Sequence, residues 1–267
     1  MLRSLSITNL LTALFFCGTF GLRAEVAVTP VRQPGAPLDT SLRNEADHAV
    51  RQAALWLAAR QQPDGSWGAS NRVRLTSLAL SALKAAVLPA HTEPCARAAL
   101  WLDGTATNRT DDLGAHAWRL LALTLALPET PGRAPFLRRL AQRAPAEGNG
   151  ASAGDQAFWR EAVAAAGLAP TPPPESDASN RLARAAAAWP PQLACNSAVW
   201  QLARLVNRAG SGQLLRGGQP LDWRADLAKH VINAQRRDSG GGGFWEARDA
   251  DQRIEETAFG ILALKEL

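Results

Sequence analysis

Few residues in this chain have types and spacings that could support catalysis or ligand binding. His116 follows Asp111 and Asp112 by about one helical turn, so an imidazole and a carboxylate lie near one helix start. These groups together can transfer protons, but a histidine that caps the helix or has its hydrogen bonds satisfied is the simpler interpretation. A second acidic group, Glu255 and Glu256, opens another apolar helical stretch, where negative charge also complements the helix macrodipole.

Other patterns argue against metal, cofactor and nucleophile chemistry. The histidines are too dispersed for a metal site, and neither Cys95 nor Cys195 has a metal-ligand spacing. Residues 150–154 match Gly-x-Ser-x-Gly, but the residues before them lack the strand pattern that this chemistry requires. The sequence contains no phosphate loop or dinucleotide fingerprint. We therefore predict no metal and no cofactor, and we favour two unpaired thiols over a disulfide.

The N-terminal residues have the pattern of a secretory signal. Arg3 gives a positive start, an apolar stretch follows it, and Ala24 provides a small residue for cleavage. We predict a signal peptide over residues 1–24, a Pro-rich leader over residues 25–38 and a single domain over residues 39–267. The protein is then secreted or periplasmic, with a retained N-terminal membrane anchor as the alternative.

The charge of the chain argues against a nucleic-acid partner. The full sequence has a net charge of +5, and removal of Arg3 and Arg23 with the signal leaves 27 cations against 24 acidic residues. The remaining cations are scattered among the acidic residues, whereas nucleic-acid binding needs a concentrated basic surface. We therefore expect the protein to bind no nucleic acid.

A helical repeat of about 40 residues runs through the predicted domain. Five alignment centres follow one another at intervals of 40, 40, 41 and 60 residues: Thr76, His116, Gln156, Ser197 and Thr257. Large apolar residues stand two positions after the centres: Leu78, Trp118, Phe158, Val199 and Phe259. Alanine stands six positions after each centre, on the same helical face. The repeat pattern therefore predicts that each unit is a helical hairpin that stacks on its neighbours. We expect an all-α domain without regular strands.

A glutamine and tryptophan motif joins the two helices of the first unit. Residues 56–67 contain, in order, an aromatic residue, an aliphatic residue, a glutamine, a short spacer and the sequence Gly-Ser-Trp. A second, weaker copy runs from Val231 to Trp245. The motif resembles the Gln/Trp repeat of squalene and oxidosqualene cyclases. Residues 254–264 are similar to the inner helices of those cyclases and of prenyltransferase β-subunits.

This resemblance implies an α/α toroid, which is a barrel of alternating inner and outer helices around a central cavity. Members of these families usually have six hairpins, and five are clear in this sequence. We therefore expect about five to six hairpins, in a barrel that is either complete or short and open.

The resemblance also makes Glu255 and Glu256 candidate catalytic acids. Squalene-hopene type cyclases protonate an alkene with an Asp-x-Asp-Asp-Thr-Ala motif at the start of an inner helix. The matching stretch here has Arg253, Glu255 and Glu256 in place of the three acids. Protonation of an alkene demands a strong acid made by clustered carboxyls, and an adjacent guanidinium opposes this by favouring their ionised forms.

These observations together predict a non-catalytic binding or protein-interaction module that uses the mouth of the barrel. The candidate binding residues near the inner-helix starts and hairpin loops are His116, Asp112, Arg72, Arg74, Trp67 and Trp245. The expected partner is a protein or an apolar small molecule, with peripheral membrane association as a further contact. The alternatives are a terpenoid-cyclase-type enzyme acting on an isoprenoid and, less favoured, a toroid polysaccharide lyase.

Overall fold

The computed structural model of the protein describes residues 37–105, 112–145, 151–170, 178–189, 193–208 and 214–267. Residues 1–36, which hold the predicted signal peptide and most of the predicted leader, lie outside the described residues. Both of those assignments therefore stay predictions. No helix in the described part of the chain is long and apolar enough to cross a lipid bilayer.

The described residues are mainly α-helical, which confirms the predicted all-α class. Their ten helices are α1 (Thr40–Ala59), α2 (Arg72–Ala86), α3 (Thr92–Gly104), α4 (Leu113–Ala126), α5 (Arg133–Gln142), α6 (Ala153–Ala165), α7 (Ala178–Ala187), α8 (Asn196–Arg208), α9 (Trp223–Ala234) and α10 (Ala250–Glu266). A short 3-10 helix, Pro89–His91, precedes α3. Helix starts follow local capping signals, since the Asp39 and Asp249 side chains accept backbone amides at the starts of α1 and α10.

Two antiparallel ribbons correct the expectation of a domain without strands. Strands β1 (Leu214–Arg216) and β2 (Gln219–Leu221) pair in the long interval between the fourth and fifth repeat centres. Strands β3 (Arg236–Arg237) and β4 (Gly243–Phe244) pair within the second copy of the Gln/Trp motif. Strands of two or three residues are too short to show an alternating pattern, which is why the sequence did not reveal them.

The even-numbered helices contact one another in cyclic order. Helix α4 packs against α2 and α6, and α10 packs against α2 and α8. Side chains join α6 to α8, because Glu161 on α6 forms ion pairs with Arg204 and Arg208 on α8. The odd-numbered helices lie against this set, with α1 on α2 and α10, α3 on α2 and α4, α5 on α4, α7 on α8, and α9 on α8 and α10. This arrangement agrees with hairpin units of about 40 residues.

Four aromatic rings from different even-numbered helices meet in what we call the central aromatic cluster: Trp118, Phe158, Trp200 and Phe259. The centroid of the Trp118 ring lies 4.6 Å from that of Phe158, 5.3 Å from that of Trp200 and 5.7 Å from that of Phe259. Trp200, the residue after Val199, supplies the fourth ring, and Val199 is itself fully buried. Trp200 lies 42 residues after Phe158, whereas the aligned centres are 41 apart, and a shift of one residue turns a helical position by about 100°.

Val87 ends α2 in a left-handed backbone conformation, with φ 52° and ψ 48°. A β-branched residue is strained in this region, and Val87 gains little packing in return because 78% of its surface is exposed. We expect Val87→Asn to raise the free energy of unfolding by about 1 kcal/mol, measured by urea denaturation. Leu100→Asn is the matched control, since Leu100 is also 73% exposed but lies within α3. Equal effects of the two substitutions would show that the strain at Val87 is not significant.

Candidate functional site

The tryptophan of the first Gln/Trp motif ties the two helices of its hairpin together. The Trp67 indole Nε1 donates to the carbonyl of Leu57 near the end of α1, at 2.7 Å. Its backbone amide donates to the Thr76 hydroxyl on α2, at 3.0 Å. Trp67 is fully buried, so both hydrogen bonds are shielded from water. We call this pair of bonds the tryptophan tie.

The second, weaker motif forms the same tryptophan tie in the last hairpin. The Trp245 Nε1 donates to the carbonyl of Val231 on α9 at 2.8 Å, and its amide lies 3.3 Å from the Thr257 hydroxyl on α10. Trp245 is also buried, with 3% of its surface exposed. Both indoles, which the sequence placed among the candidate binding residues, therefore lie in the interior and hold hairpins together.

The glutamines of the two motifs connect neighbouring hairpins. The Gln61 side-chain amide donates to the carbonyls of Gly65 at 2.9 Å and Pro94 at 2.8 Å, the second of which belongs to α3. The Gln235 side-chain amide donates to the carbonyl of Ala49 in α1, at 2.9 Å. The last hairpin is therefore linked to the first one in the same way as the first is linked to the second.

Arg72 is the first residue of α2, and its side chain contacts the turn that joins α1 to α2. Its guanidinium donates to the side chains of Asp64, Ser66 and Gln62, and it lies over the Trp101 ring at 5.1 Å from the centroid. Burial opposes ionisation of Asp64, but hydrogen bonds from Ser66 and Arg72 outweigh it and lower the pKa of Asp64 to about 2. These contacts fix the loop that carries the tryptophan tie.

A groove of about 410 Å³ lies where α2 and α10 begin, and we call it the α2–α10 groove. It is lined by residues 69–71, Arg74 and Leu75 from one side and by residues 249–252 and Glu255 from the other. Arg74 forms an ion pair with Glu255 across the groove. The structure therefore brings together two of the predicted site residues, Arg74 and Glu255, which are 181 positions apart in the sequence.

Asp251 also lines the α2–α10 groove, although it was not among the candidate residues predicted from the sequence. Its carboxylate accepts the backbone amides of Ala69 at 2.8 Å and Ser70 at 2.7 Å, and the Ser70 hydroxyl at 2.7 Å. Partial burial opposes ionisation, but these hydrogen bonds prevail and lower the pKa of Asp251. The Asp-x-Asp pattern of Asp249 and Asp251 at the start of α10 was the available signal.

Glu256 faces a different neighbour from Glu255. One of its carboxylate oxygens accepts the backbone amide of Asn196 at the start of α8, at 2.7 Å, and the Asn196 side chain donates to the Glu256 carbonyl at 3.0 Å. Burial raises the pKa of Glu256, the amide of Asn196 lowers it, and the charge of Glu255 raises it further, with a net increase. The two candidate acids therefore connect α10 to α2 and to α8 separately.

His116 and Asp112 lie at the start of α4. The Asp112 side chain accepts the amide of Ala115 at 2.6 Å, so the residue that caps α4 is this aspartate and not His116. His116 is buried, with 5% of its surface exposed. Asp111, the other carboxylate considered with His116, lies outside the described residues.

We expect Glu256→Gln to stabilise the protein at neutral pH, because glutamine can accept the Asn196 amide without a buried charge. A carboxyl with a raised pKa in the folded state favours folding at low pH, and this advantage is lost as the pH rises through the folded-state pKa. The variant and the wild type should therefore have similar stability near pH 4, with the variant becoming the more stable as the pH rises from 4.5 to neutral. Thermal unfolding at a series of pH values measures this difference, and a constant difference would contradict the prediction.

The described residues hold no group of three or more His, Cys, Asp or Glu side chains that could bind a metal ion. Cys95 and Cys195 are free thiols, and burial raises the pKa of the Cys95 thiol although the charge of Lys84 opposes this. A scan of protein-family models finds no match to this chain, and a search of curated proteins finds no significant match. The candidate site therefore depends on its own geometry, with the α2–α10 groove at its centre.

Proposed function

We propose that this chain is an exported squalene-cyclase/prenyltransferase-like repeat protein that binds a protein partner and catalyses no reaction. Its five helical hairpins form an α/α toroid, with the even-numbered helices inside and the odd-numbered helices outside. The partner binds at the end of the barrel where the inner helices begin. The central aromatic cluster is the observation that carries this proposal.

Three features support the toroid. The even-numbered helices contact one another in cyclic order, and the odd-numbered helices lie against them. The first and last hairpins contain the same tryptophan tie, made by Trp67 and Trp245. Gln235 of the last hairpin donates to Ala49 of the first, as a closed barrel of five units requires.

The central aromatic cluster supports a role without catalysis. Enzymes with this fold hold their substrate in the central cavity, whereas here rings from α4, α6, α8 and α10 contact one another where that cavity would be. These rings pack at centroid distances that are usual for buried aromatic pairs. A substrate at this position would therefore have to displace side chains that stabilise the core.

The α2–α10 groove supports binding at the inner-helix starts. It presents the charges of Arg74, Glu255 and Asp251 on a partly open surface, and Gln252 at its edge is exposed. Such mixed polar groups suit a polar protein surface better than an apolar isoprenoid. Asp251 and the Arg74–Glu255 ion pair also hold the two sides of the groove together, so this surface is formed before a partner binds.

One observation favours the terpenoid-cyclase alternative, which is the raised pKa of Glu256. An assay of the purified chain with squalene, oxidosqualene and prenyl diphosphates separates the two functions. We expect no cyclised or transferred product from the wild type. A product that disappears in Glu256→Gln would overturn the non-catalytic proposal, because this substitution leaves the hydrogen bond to Asn196 available.

A photo-reactive amino acid at Gln252 tests the binding surface directly in the native host. We expect a discrete protein adduct, since Gln252 lies at the edge of the α2–α10 groove. The same amino acid at Arg138, which is exposed on α5, is the matched control and should give no adduct. The Gln252 adduct should also decrease when Arg74 is changed to glutamate. Absence of an adduct at Gln252, or equal adducts at both positions, would contradict this assignment.

A further inference from the structure

The contact between α6 and α8 differs from the other contacts between even-numbered helices. The pairs α2 with α4, α4 with α6, α2 with α10 and α8 with α10 each pack along their lengths. Helices α6 and α8 are instead bridged by side chains, through the Glu161 ion pairs and the contact between the Phe158 and Trp200 rings. We call this contact the α6–α8 seam.

The α6 side of the seam has few fully buried residues. Trp159 and Ala162 are the only buried residues of α6, all of which is described, whereas eleven of the 15 residues of α2 are buried. The neighbouring outer helix α5 packs mainly against α4. A helix with few buried apolar contacts opens at a lower free-energy cost than the rest of its domain. The seam is therefore the place where this set of helices separates most easily.

Ionic contacts hold the seam closed. Glu161 lies 2.9 Å from Arg204 and also pairs with Arg208, and only 17% of the Glu161 side chain is exposed. The Arg204 guanidinium lies over the Trp200 ring, at 4.5 Å from its centroid. Burial lowers the pKa of Arg204 and of Arg208, and the nearby charge of Glu266 partly offsets this. Glu161 thus pairs with two arginines at once, and Arg204 connects these ion pairs to the central aromatic cluster.

The rings at the seam are also the most widely spaced pair in the cluster. The Phe158 and Trp200 centroids are 6.1 Å apart, whereas the other contacting pairs are between 4.6 and 5.7 Å apart. Separation of α6 from α8 would break this contact first and expose both rings. The closest pair, Trp118 with Phe158, joins α6 to α4, so α6 retains a contact about which it can move.

We propose that the α6–α8 seam is a lateral gate, closed by Glu161 with Arg204 and Arg208, whose opening exposes the central aromatic cluster. This inference concerns a movement of the described helices and does not depend on the binding role proposed for the α2–α10 groove. Because the ion pairs are partly exposed, salt weakens them, and the open state becomes more populated as ionic strength rises. The gate gives the filled core a route to solvent that leaves the other helix contacts intact.

Hydrogen exchange of the full chain, read by mass spectrometry, tests the gate with Glu161→Gln. We expect amide exchange in α6 and α8 to become at least about tenfold faster, since the substitution removes the carboxylate that pairs with both arginines across the seam. Exchange in α2 should not change. Glu129→Gln is the matched control, because Glu129 pairs with Arg133 but is 86% exposed. Equal acceleration in all helices, or no acceleration in α6 and α8, would overturn the proposal.

Two further measurements keep the test decisive if Glu161→Gln does not fold. Arg208→Gln is a milder change, since the Arg208 side chain is 45% exposed and Arg204 remains paired. It should accelerate exchange in α6 and α8 by a smaller factor and leave α2 unchanged. In the wild type, an increase from about 0.05 M to about 0.5 M salt should also accelerate amide exchange in α6 and α8 and leave exchange in α2 unchanged. A uniform response in either measurement would show ordinary destabilisation and no gate.

Discussion

Replacement of Trp67 with alanine is expected to lower the free energy of unfolding by about 3–5 kcal/mol. The side chain is fully buried and is among the largest in the core, so alanine leaves a cavity beside α1 and α2. The Leu57 carbonyl also loses the indole donor at the end of α1. Urea denaturation followed by circular dichroism measures the loss, and Leu100→Ala on the exposed face of α3 should change stability little.

Milder variants separate the contributions of packing and of hydrogen bonding to the stability lost in Trp67→Ala. The separation is useful because the free energy of unfolding of a whole domain is only about 5–15 kcal/mol. Trp67→Phe keeps most of the ring but removes the Nε1 donor, and Thr76→Val removes the acceptor of the Trp67 amide. Each should cost about 1–3 kcal/mol. Trp245→Ala should cost about as much as Trp67→Ala, because its tie has the same geometry. A small effect at one position and a large one at the other would show that the two motifs are not equivalent.

Trp118→Ala is expected to produce a loss of similar size, about 3–5 kcal/mol, in the centre of the domain. Trp118 contacts the other three rings of the central aromatic cluster, so its removal also loses aromatic contacts worth about 0.5–1.5 kcal/mol each. The cavity left by the indole is lined by the remaining apolar rings. We therefore expect indole or benzene to bind the variant and raise its Tm, as ligands do when they bind only the folded state.

The same ligands supply the control for the Trp118 experiment. Indole at the same concentration should leave the Tm of the wild type unchanged, since the cluster already fills that space. Trp118→Phe should lose less stability and show less rescue, because it leaves a smaller cavity. A loss below about 1 kcal/mol without rescue would mean that the rings at the centre of the domain contribute little to its stability.

The sequence was most informative where structure depends on neighbouring residues. The apolar pattern predicted an all-α domain, and Asp39 marked the start of α1, because these signals act within one or two turns. The Thr76 and Thr257 repeat centres proved to be equivalent, since each accepts the amide of a tryptophan in its own hairpin. Chain distances of 9 and 12 residues keep such contacts within one repeat unit.

The sequence was least informative where a single position decides a contact. The repeat alignment placed Val199 in the column of large residues, but Trp200 joins the central aromatic cluster. Alanines are frequent in every unit, so they fix the helical period without fixing the register to one residue. Only the packing of α8 against α10 determines which of the two faces the other rings.

The sequence by itself determined that the described part of the chain is mainly α-helical, because helix formation follows from local hydrogen bonding and apolar spacing. The tertiary structure alone decided which charged and polar groups meet. It pairs Arg74 with Glu255, Glu256 with Asn196, and Glu161 with two arginines, across 43 to 181 positions of the chain. Such contacts form between helices that are brought together by burial of their apolar faces. The sequence pattern of one helix therefore does not predict which other helix its charged and polar side chains will contact.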